Sequence, residues 1–146
     1  MNCSLCDRIK DIKKDPRLII EWKESLWLVG DHQYYPGYTM LVSKSHFKEM
    51  HDMPEDKRSQ FLKEFNLAQS VTQKVFNPFK INLCSLGNKV PHVHWHIFPR
   101  FEDDPTRFDP PWLKMHEFSS RLGSPSEVQE LKHKILSALG SFSVTI

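Results

Sequence analysis

The chain has little of what marks a membrane protein or a disulfide-rich secreted protein. Its 146 residues contain no apolar run of about 18 residues, the length that a spanning helix needs. The first residues lack the basic segment and following apolar segment of a secretory signal. Three cysteines are few and odd in number, and they suggest no disulfide framework. We therefore expect a cytoplasmic protein in a reducing environment.

An excess of charge of one sign is also missing. The formal net charge is +2 at pH 7 with neutral histidines, which is too small to indicate binding to nucleic acid or to a membrane surface. Hydrophobic residues make up 39% of the chain and charged residues 26%, as in globular proteins. This length fits one domain, so we expect a single domain over residues 1–146.

The pattern of apolar residues predicts an α+β fold. Strands are expected at residues 18–22, 26–29, 38–43, 81–86 and 93–98, with a Pro-Gly turn before the third strand. Helices are expected at residues 4–12, 54–76 and 124–139. Asp52 and Glu55 have the spacing of a capping box, as do Ser124 and Glu127. Because short connections favour antiparallel neighbours, we expect an antiparallel sheet of about five strands with two main helices on it.

The most informative segment is Pro91–Arg100, in which His92, His94 and His96 alternate with large apolar residues. In a strand, alternate side chains point to opposite faces, so the apolar residues would enter the core and the imidazoles would share the other face. Imidazole binds metals, and it also acts as a nucleophile or acid–base group near neutral pH. Three in a row provide one ring to attack phosphorus and neighbours to donate to phosphate oxygens. Metal binding and a purely structural role are the alternatives.

The segment His92–Phe98 resembles the signature of the histidine-triad (HIT) family at every position. Residues 82–90 resemble the strand and glycine turn that precede the triad. Residues 35–46 resemble the family's segment in which a Pro-Gly pair and a strand lead to Lys-x-His. The resemblance covers residues 3–100 and implies a HIT-like fold for this core. Residues 101–146 then form a C-terminal tail and helix.

The resemblance implies that the chain is a hydrolase acting on phosphorus-containing anhydrides. In the family, the residue at the position of His94 attacks the α-phosphorus of a nucleotide and forms a nucleotidyl-histidine intermediate, which water or another acceptor resolves. His96 would contact the α-phosphate, and His92 would orient its neighbours. Implied substrates are dinucleoside polyphosphates or nucleoside phosphoramidates, and the chemistry needs no cofactor. The alternative is a non-catalytic nucleotide- or zinc-binding module. The longer uridylyltransferase branch fits badly, because it has proline where Val93 stands.

Further nucleotide contacts are implied at five positions. Asn82 matches a family asparagine on the phosphate side, and Asn88 stands where many members have glutamine. Lys89 adds a positive charge, and Arg100 follows the triad as in dinucleoside polyphosphate hydrolases. Asp31 is the nearest candidate for holding ribose, although the count from the Pro-Gly pair gives the residue before it. The alternatives are an ordinary turn residue for Asn88, a solvated arginine and a solvated loop carboxylate.

The remaining apolar and histidine positions carry weaker expectations. Trp112 is a candidate cover for the site, and Cys84 is expected to be a buried strand residue. The candidates for an apolar base pocket, for which core packing is the alternative, are Leu5, Ile9, Trp27 and Val29. The histidines without a motif, which we expect at the surface, are His32, His51, His116 and His133.

Cys3 and Cys6 form a C-x-x-C pair, which is a weak signal alone. Some HIT members hold zinc with such a pair, a histidine after the Pro-Gly strand and the first histidine of the triad. In this chain the two histidines would be His46 and His92. Two thiolates and two imidazoles suit a structural zinc ion.

The expected partners are a nucleotide and a second copy of the chain, with no nucleic acid and no membrane. HIT hydrolases resembling this chain pair through a helix and the edge of the sheet. Phe76, Phe79 and Ile81 are the residues expected near such an interface. The alternative is a monomer in which these three side chains fill the core.

Overall fold

The computed structural model describes residues 3–142, which fold around a five-stranded antiparallel sheet. The strands are β1 (Leu18–Glu21), β2 (Ser25–Val29), β3 (Thr39–Ser43), β4 (Lys80–Cys84) and β5 (His94–Arg100). Their order is β1-β2-β3-β5-β4, so β1 and β4 form the two edges. The helices are α1 (Ser4–Lys10), α2 (Glu55–Phe76) and α3 (Pro125–Leu139), with 3₁₀ segments at 12–14, 50–52 and 111–121. The expected α+β fold with about five strands is confirmed.

Helix α2 covers one face of the sheet. Four of its side chains lie at helical spacing and are buried against Leu41 and Ile97 of the sheet. Each of the larger ones contributes about 1.5–3 kcal/mol when fully buried. The buried stripe consists of Phe61, Phe65, Ala68 and Val71. Between residues 3 and 142, no helix has both the length and the apolar character needed to cross a membrane.

The start of α2 differs from the sequence expectation. Asp52 does not form a capping box with Glu55. Its side chain instead pairs with Glu49 across the preceding 3₁₀ turn, each accepting a hydrogen bond from the other's backbone. Pro54 takes the N-cap position of α2 and makes no side-chain cap bond. The spacing rule failed here because a one-turn 3₁₀ helix precedes α2 and uses the same aspartate.

Helix α3 packs beside α2 on the same face of the sheet. It starts with the expected capping box, in which the backbone N–H of Glu127 donates to Ser124 Oγ at 3.2 Å. Its buried side chains, which join the cluster beneath α2, are Val128, Leu131 and Ile135. Both large helices therefore lie on one side of the sheet and leave the other face to shorter elements.

The opposite face of the sheet carries two smaller clusters. One, the N-terminal cluster, packs α1 and the following turn against β2 and β3; it contains Cys3, Leu5, Ile12, Leu26, Leu28, Met40 and Val42. The other, the aromatic cluster, packs the 111–121 segment against β5; it contains Tyr35, Tyr38, Phe98 and Phe118. The motif histidines contact both clusters.

The turn before β3 is the expected Pro-Gly turn. Gly37 has a φ of +82°, a backbone conformation that side chains with a Cβ rarely adopt. A Cβ added to it would also lie only 3.0 Å from the ring of Phe76. The glycine therefore allows the turn to close against the end of α2.

Candidate active site

Strand β5 places two of the motif histidines on the sheet face that lies away from α2. His94 and His96 point to this face, whereas Ile97 is buried in the cluster beneath α2. The expected alternation of faces is therefore confirmed. The strand begins one residue later than Val93, the expected start, so His92 lies in the turn just before it.

The backbone fixes the proton arrangement of His94. Its Nδ1 lies 2.6 Å from the carbonyl oxygen of His92. Because a carbonyl oxygen only accepts hydrogen bonds, Nδ1 carries the proton, and Nε2 of the neutral ring holds a free lone pair. The side chain is buried against the sheet, with 8% of the residue exposed. A positioned imidazole with a free Nε2 lone pair is a suitable nucleophile.

His96 lies beside His94 with its own partner. Its Nδ1 is 2.6 Å from the phenol oxygen of Tyr38, and its ring is 5.0 Å from that of His94 in an edge-to-face arrangement. Burial, together with the neighbouring His94 and His32, lowers the pKa of His96 to about 3. The ring is therefore neutral at pH 7. Trp112, the candidate cover, contacts it edge-to-face at 4.8 Å between ring centres.

His92 faces a cluster of metal-binding side chains. Its Nε2 lies 2.8 Å from the carbonyl oxygen of Ser43, so this nitrogen carries the proton. Nδ1 therefore keeps a lone pair that can bind a metal ion. Burial lowers the pKa of His92, which favours the neutral ring. Second contacts of this kind orient histidines that bind metals.

The four expected zinc ligands come together in the structure. The Nδ1 of His92 lies 3.5 Å from Sγ of both Cys3 and Cys6 and 3.3 Å from Nδ1 of His46. Cys6 Sγ is 3.3 Å from His46 Nδ1, and all four donor atoms lie within 4.8 Å of one another. A tetrahedral Zn²⁺ ion with ordinary bond lengths separates its donor atoms by about 3.3–3.8 Å. The donor types and the four distances of 3.3–3.5 Å therefore fit a four-coordinate zinc site.

Arg100 differs from the sequence expectation, because it is neither solvated nor available to bind phosphate. It is fully buried, and its Nε donates to Asp104 at 2.7 Å. Its Nη1 donates to Asn82 Oδ1 at 2.9 Å and to the carbonyl oxygen of Asp109 at 2.8 Å. Its Nη2 donates to both oxygens of Thr106. All five N–H groups are occupied, so Arg100 holds the 101–110 loop. Among residues 3–142, the side-chain amide nitrogen of Asn82 has no hydrogen-bond partner.

The other expected nucleotide contacts lie on loops. Asn88 and Lys89 are exposed in the loop that leads into β5. Asp31 is also exposed and forms ion pairs with Arg17 and, at 3.4 Å, with Arg8. It borders an open cavity of about 530 Å³ between the end of β2 and the start of α3.

Counting back from the Pro-Gly pair places the ribose contact at Gly30, which precedes Asp31 and has no side chain. A Cβ built on Gly30 would lie 2.0 Å from the ring of Tyr38. The phenol ring occupies the space that a side chain at this position would need. Any acidic contact from this loop must therefore come from a neighbouring residue such as Asp31.

Two of the four base-pocket candidates are on the wrong face. Trp27 and Val29 are fully buried in the cluster beneath α2, so core packing accounts for both. Leu5 and Ile9 belong to the N-terminal cluster on the histidine face. The strand alternation of β2 decides this outcome, because its odd-numbered positions point away from the site.

His32 is the site-facing residue that the sequence interpretation missed. We expected it at the surface, but it is buried between the rings of Phe118 and Tyr38, with ring centres 3.9 and 4.6 Å away. Burial lowers the pKa of His32 to about 4. Its stacking partner Phe118 is distant in the chain, so no local pattern indicated the contact. His51, His116 and His133 are exposed, as expected.

Comparisons with known proteins agree on one family. The family model described as HIT domain matches residues 12–103. An uncharacterised HIT-like protein of Methanocaldococcus jannaschii is 35% identical over 72 residues, which cover 47% of this chain and 56% of that protein. The chain thus matches little more than half the length of this relative.

Several solved structures share the fold. A histidine triad protein of Bradyrhizobium japonicum aligns with a TM-score of 0.74 at 25% identity, over 88% of this chain and 93% of that one. A Zn-bound histidine triad family protein of Mycobacterium smegmatis gives 0.69 at 16% identity, over 97% and 99%. The diadenosine triphosphate hydrolase of Plasmodium falciparum gives 0.60 at 20% identity, over 87% and 78%. At the two lower identities the likeness concerns the fold.

Proposed function

Because this chain belongs to the HIT domain family, we propose that it is a nucleotide hydrolase or transferase that uses His94 as its nucleophile. One observation carries the proposal most directly. The hydrogen bond from His94 Nδ1 to the His92 carbonyl oxygen leaves the Nε2 lone pair free on the face shared with His96. A ring buried only for packing has no need for this arrangement beside a second imidazole.

The proposed reaction has two displacements at phosphorus. His94 Nε2 forms a bond to the α-phosphorus while the bond to the leaving group breaks, and the leaving group departs with the electron pair and takes a proton from solvent. Water then attacks the same phosphorus, loses a proton to solvent, and the P–N bond breaks to give the nucleoside monophosphate and the free imidazole. With another acceptor in place of water, the product is the nucleotidylated acceptor. Splitting one difficult step into two easier ones is the advantage of a covalent intermediate.

The neighbouring groups would stabilise the charge on the phosphate oxygens. His96 Nε2 has no hydrogen-bond partner within residues 3–142, so it is available to donate. The amide nitrogen of Asn82 and the exposed side chains of Asn88 and Lys89 are further candidates. Phosphoryl transfer depends mainly on such positioned donors and charges.

The nucleoside would lie toward Asp31. Its exposed carboxylate can accept hydrogen bonds from ribose hydroxyls. Diadenosine polyphosphates and nucleoside phosphoramidates are the proposed substrate classes. The fold likeness to a diadenosine triphosphate hydrolase supports the first class.

We propose a structural zinc ion held by Cys3, Cys6, His46 and His92. The donor spacings support it, as does the fold likeness to a Zn-bound family member. Four protein ligands leave no position for substrate, so such an ion would tie α1 to the sheet and take no part in the reaction. His92 would contribute to both sites. Its ring would bind the zinc ion, and its carbonyl oxygen would accept the hydrogen bond from His94 Nδ1.

We also propose a homodimer paired through α2 and the free edge of β4. Phe79 is 46% exposed just before this edge strand, next to the exposed ring of Phe108. Phe76 and Ile81 are partly buried against the core, so they would contribute less new contact area. Covering the unpaired backbone of an edge strand is one way to protect it from aggregation.

Steady-state turnover of two probes tests the enzymatic proposal. Diadenosine tetraphosphate and adenosine 5′-phosphoramidate would be compared on wild-type protein, on the His94→Ala and His94→Gln variants, and on the exposed control His133→Ala. We expect turnover to fall by about a thousandfold or more in both His94 variants, while nucleotide binding stays measurable. Turnover of the His133→Ala control should not change. Turnover of either variant within tenfold of wild type would contradict the mechanism. Binding without turnover in wild type would indicate a non-catalytic module instead.

A further inference from the structure

His96 is held by a side chain that the motif does not contain. Tyr38 lies just before β3, and its phenol oxygen is 2.6 Å from His96 Nδ1. Its ring is 4% exposed and is stacked on Phe98 and His32, with ring centres 4.4 and 4.6 Å away. Within residues 3–142, His96 is the only hydrogen-bond partner of this hydroxyl. The contact is therefore specific and rigidly supported.

The direction of this hydrogen bond follows from the available donors. If Nδ1 of His96 carried the proton and donated to Tyr38, the phenol proton would be left without an acceptor in a buried site, which is costly. If the phenol donates instead, its proton is used and Nδ1 accepts. The single ring proton of the neutral imidazole is then on Nε2. Burial also raises the pKa of Tyr38, so the phenol keeps its proton at neutral pH.

We propose that Tyr38 is a positioning residue that fixes His96 as a neutral hydrogen-bond donor through Nε2. His94 and His96 then present different groups at Nε2: His94 presents a lone pair, and His96 presents a proton. This inference rests on the proposed function for its role in the reaction, where the proton meets a phosphate oxygen. The arrangement of the ring proton itself does not depend on any substrate.

The stack around Tyr38 explains how the phenol keeps its place. Gly30 allows the close approach of the ring, since any Cβ there would overlap it. His32 and Phe98 both stack on the ring, so it has little freedom to turn away from His96. The segment 111–121 closes the stack through Phe118. The C-terminal part of the chain thus supports the site without supplying a motif.

NMR of the ring nitrogens tests the proton arrangement directly. Protein labelled with ¹⁵N in histidine would be measured at pH 7 by long-range proton–nitrogen correlation, with His96→Asn used to assign the signals. We expect His96 to carry its proton on Nε2 with an unprotonated Nδ1. In Tyr38→Phe, the Nδ1 resonance should move toward that of a nitrogen without a hydrogen bond. A proton on Nδ1 in wild type, or an unmoved resonance in the variant, would overturn the proposal.

Tyr35→Phe is the matched control, because it removes a phenol from the same aromatic cluster. The Tyr35 hydroxyl lies 3.5 Å from the carbonyl oxygen of Pro111 and, in the described part of the chain, makes no hydrogen bond to a histidine. This variant should leave the His96 resonances in place. A shift of equal size in both variants would show a general effect of the cluster and would count against Tyr38.

Turnover of diadenosine tetraphosphate tests the consequence for catalysis. Tyr38→Phe should lower kcat by about tenfold, the effect of one hydrogen bond, while KM changes by less than about twofold. Tyr35→Phe should leave both unchanged. An unchanged kcat in Tyr38→Phe would remove the catalytic role. If wild type shows no turnover at all, the proposed function fails, and the NMR result still decides the arrangement of the proton.

Discussion

His92, His94 and His96 are chemically identical side chains that the structure makes different. The carbonyl oxygens of Ser43 and His92 fix the proton on Nε2 of His92 and on Nδ1 of His94, and the phenol of Tyr38 sets the arrangement we propose for His96. Each ring thereby presents a different free atom. Metal binding, attack on phosphorus and donation to phosphate oxygens need these differences.

Local sequence predicts which residues share a face but not which atoms they contact. The alternation around His94 was enough to predict the shared face, because strand geometry depends only on neighbouring residues. The contacts of Arg100 and His32 depend on loops and rings that are distant in the chain. The sequence cannot distinguish a buried arginine that makes five hydrogen bonds from a solvated one. The sequence therefore predicted the motif and missed these two environments.

The pH dependence of stability tests the role assigned to Arg100. Burial alone would raise the pKa of Asp104, but hydrogen bonds from Arg100 and Thr106 outweigh it and lower the pKa. A depressed pKa in the folded state means that the contribution to stability is present above the ordinary value of about 4 and is lost as pH falls below it. Asp104→Asn should therefore lower the free energy of unfolding by about 1–3 kcal/mol at neutral pH.

The comparison is made by urea unfolding from pH 7 to pH 3. The difference between wild type and Asp104→Asn should shrink as pH falls below about 4. Asp103→Asn is the matched control, because this neighbouring carboxylate is exposed, and it should have little effect at any pH. A constant difference across the range would contradict the assigned role of the ion pair.

At the scale of elements, strong periodicity was a better guide than local capping signals. The buried stripe of α2 follows from apolar spacing over 22 residues, so a single misplaced residue does not alter the prediction. The capping box assigned to Asp52 rested on two residues, and one upstream 3₁₀ turn was enough to change its partner. In the 111–121 segment the sequence predicted only Trp112 as a cover for the site, and the packing of Phe118 on His32 required the structure.

Metal content and thermal stability test the link between α1 and the sheet. Purified protein should contain about one zinc ion per chain, and chelation should lower the melting temperature, since the metal-ligand bonds contribute only in the folded state. Cys6→Ser should lose the zinc. Cys84→Ser is the control, because Cys84 lies in β4 outside the donor cluster, and it should keep the zinc. Unchanged metal content and melting temperature after chelation at neutral pH would remove the site.

In the whole molecule, the large helices and the motif histidines lie on opposite faces of the sheet. The two large helices pack on one face, and the histidines share the other with the N-terminal and aromatic clusters. The edge strand β4 is the neighbour of β5, so an assembly along this edge would lie close to the site. The sequence predicted Phe76, Phe79 and Ile81 near such an interface, but the strand order and the exposure of these side chains required the structure.

Light scattering at micromolar concentration tests the proposed dimer. We expect a mass of about twice the 17.2 kDa of one chain. Phe79→Asp should shift the mass toward that of a monomer, because a carboxylate buried in an apolar interface is unfavourable. Leu113→Asp is the control, since this residue is equally apolar and 63% exposed on a different element. A wild-type mass near 17.2 kDa would refute the dimer.

The proposed mechanism requires a covalent intermediate on His94, and intact-protein mass spectrometry can detect it. Wild-type protein would be mixed with diadenosine tetraphosphate and quenched with base at short times, because a phosphorus–nitrogen bond is more stable in base than in acid. We predict that the wild-type protein gains the mass of one adenylyl group, mapped by peptide fragmentation to His94, and that His94→Ala gains none. Turnover without an adduct at any quench time, or an adduct that persists in His94→Ala, would contradict the account.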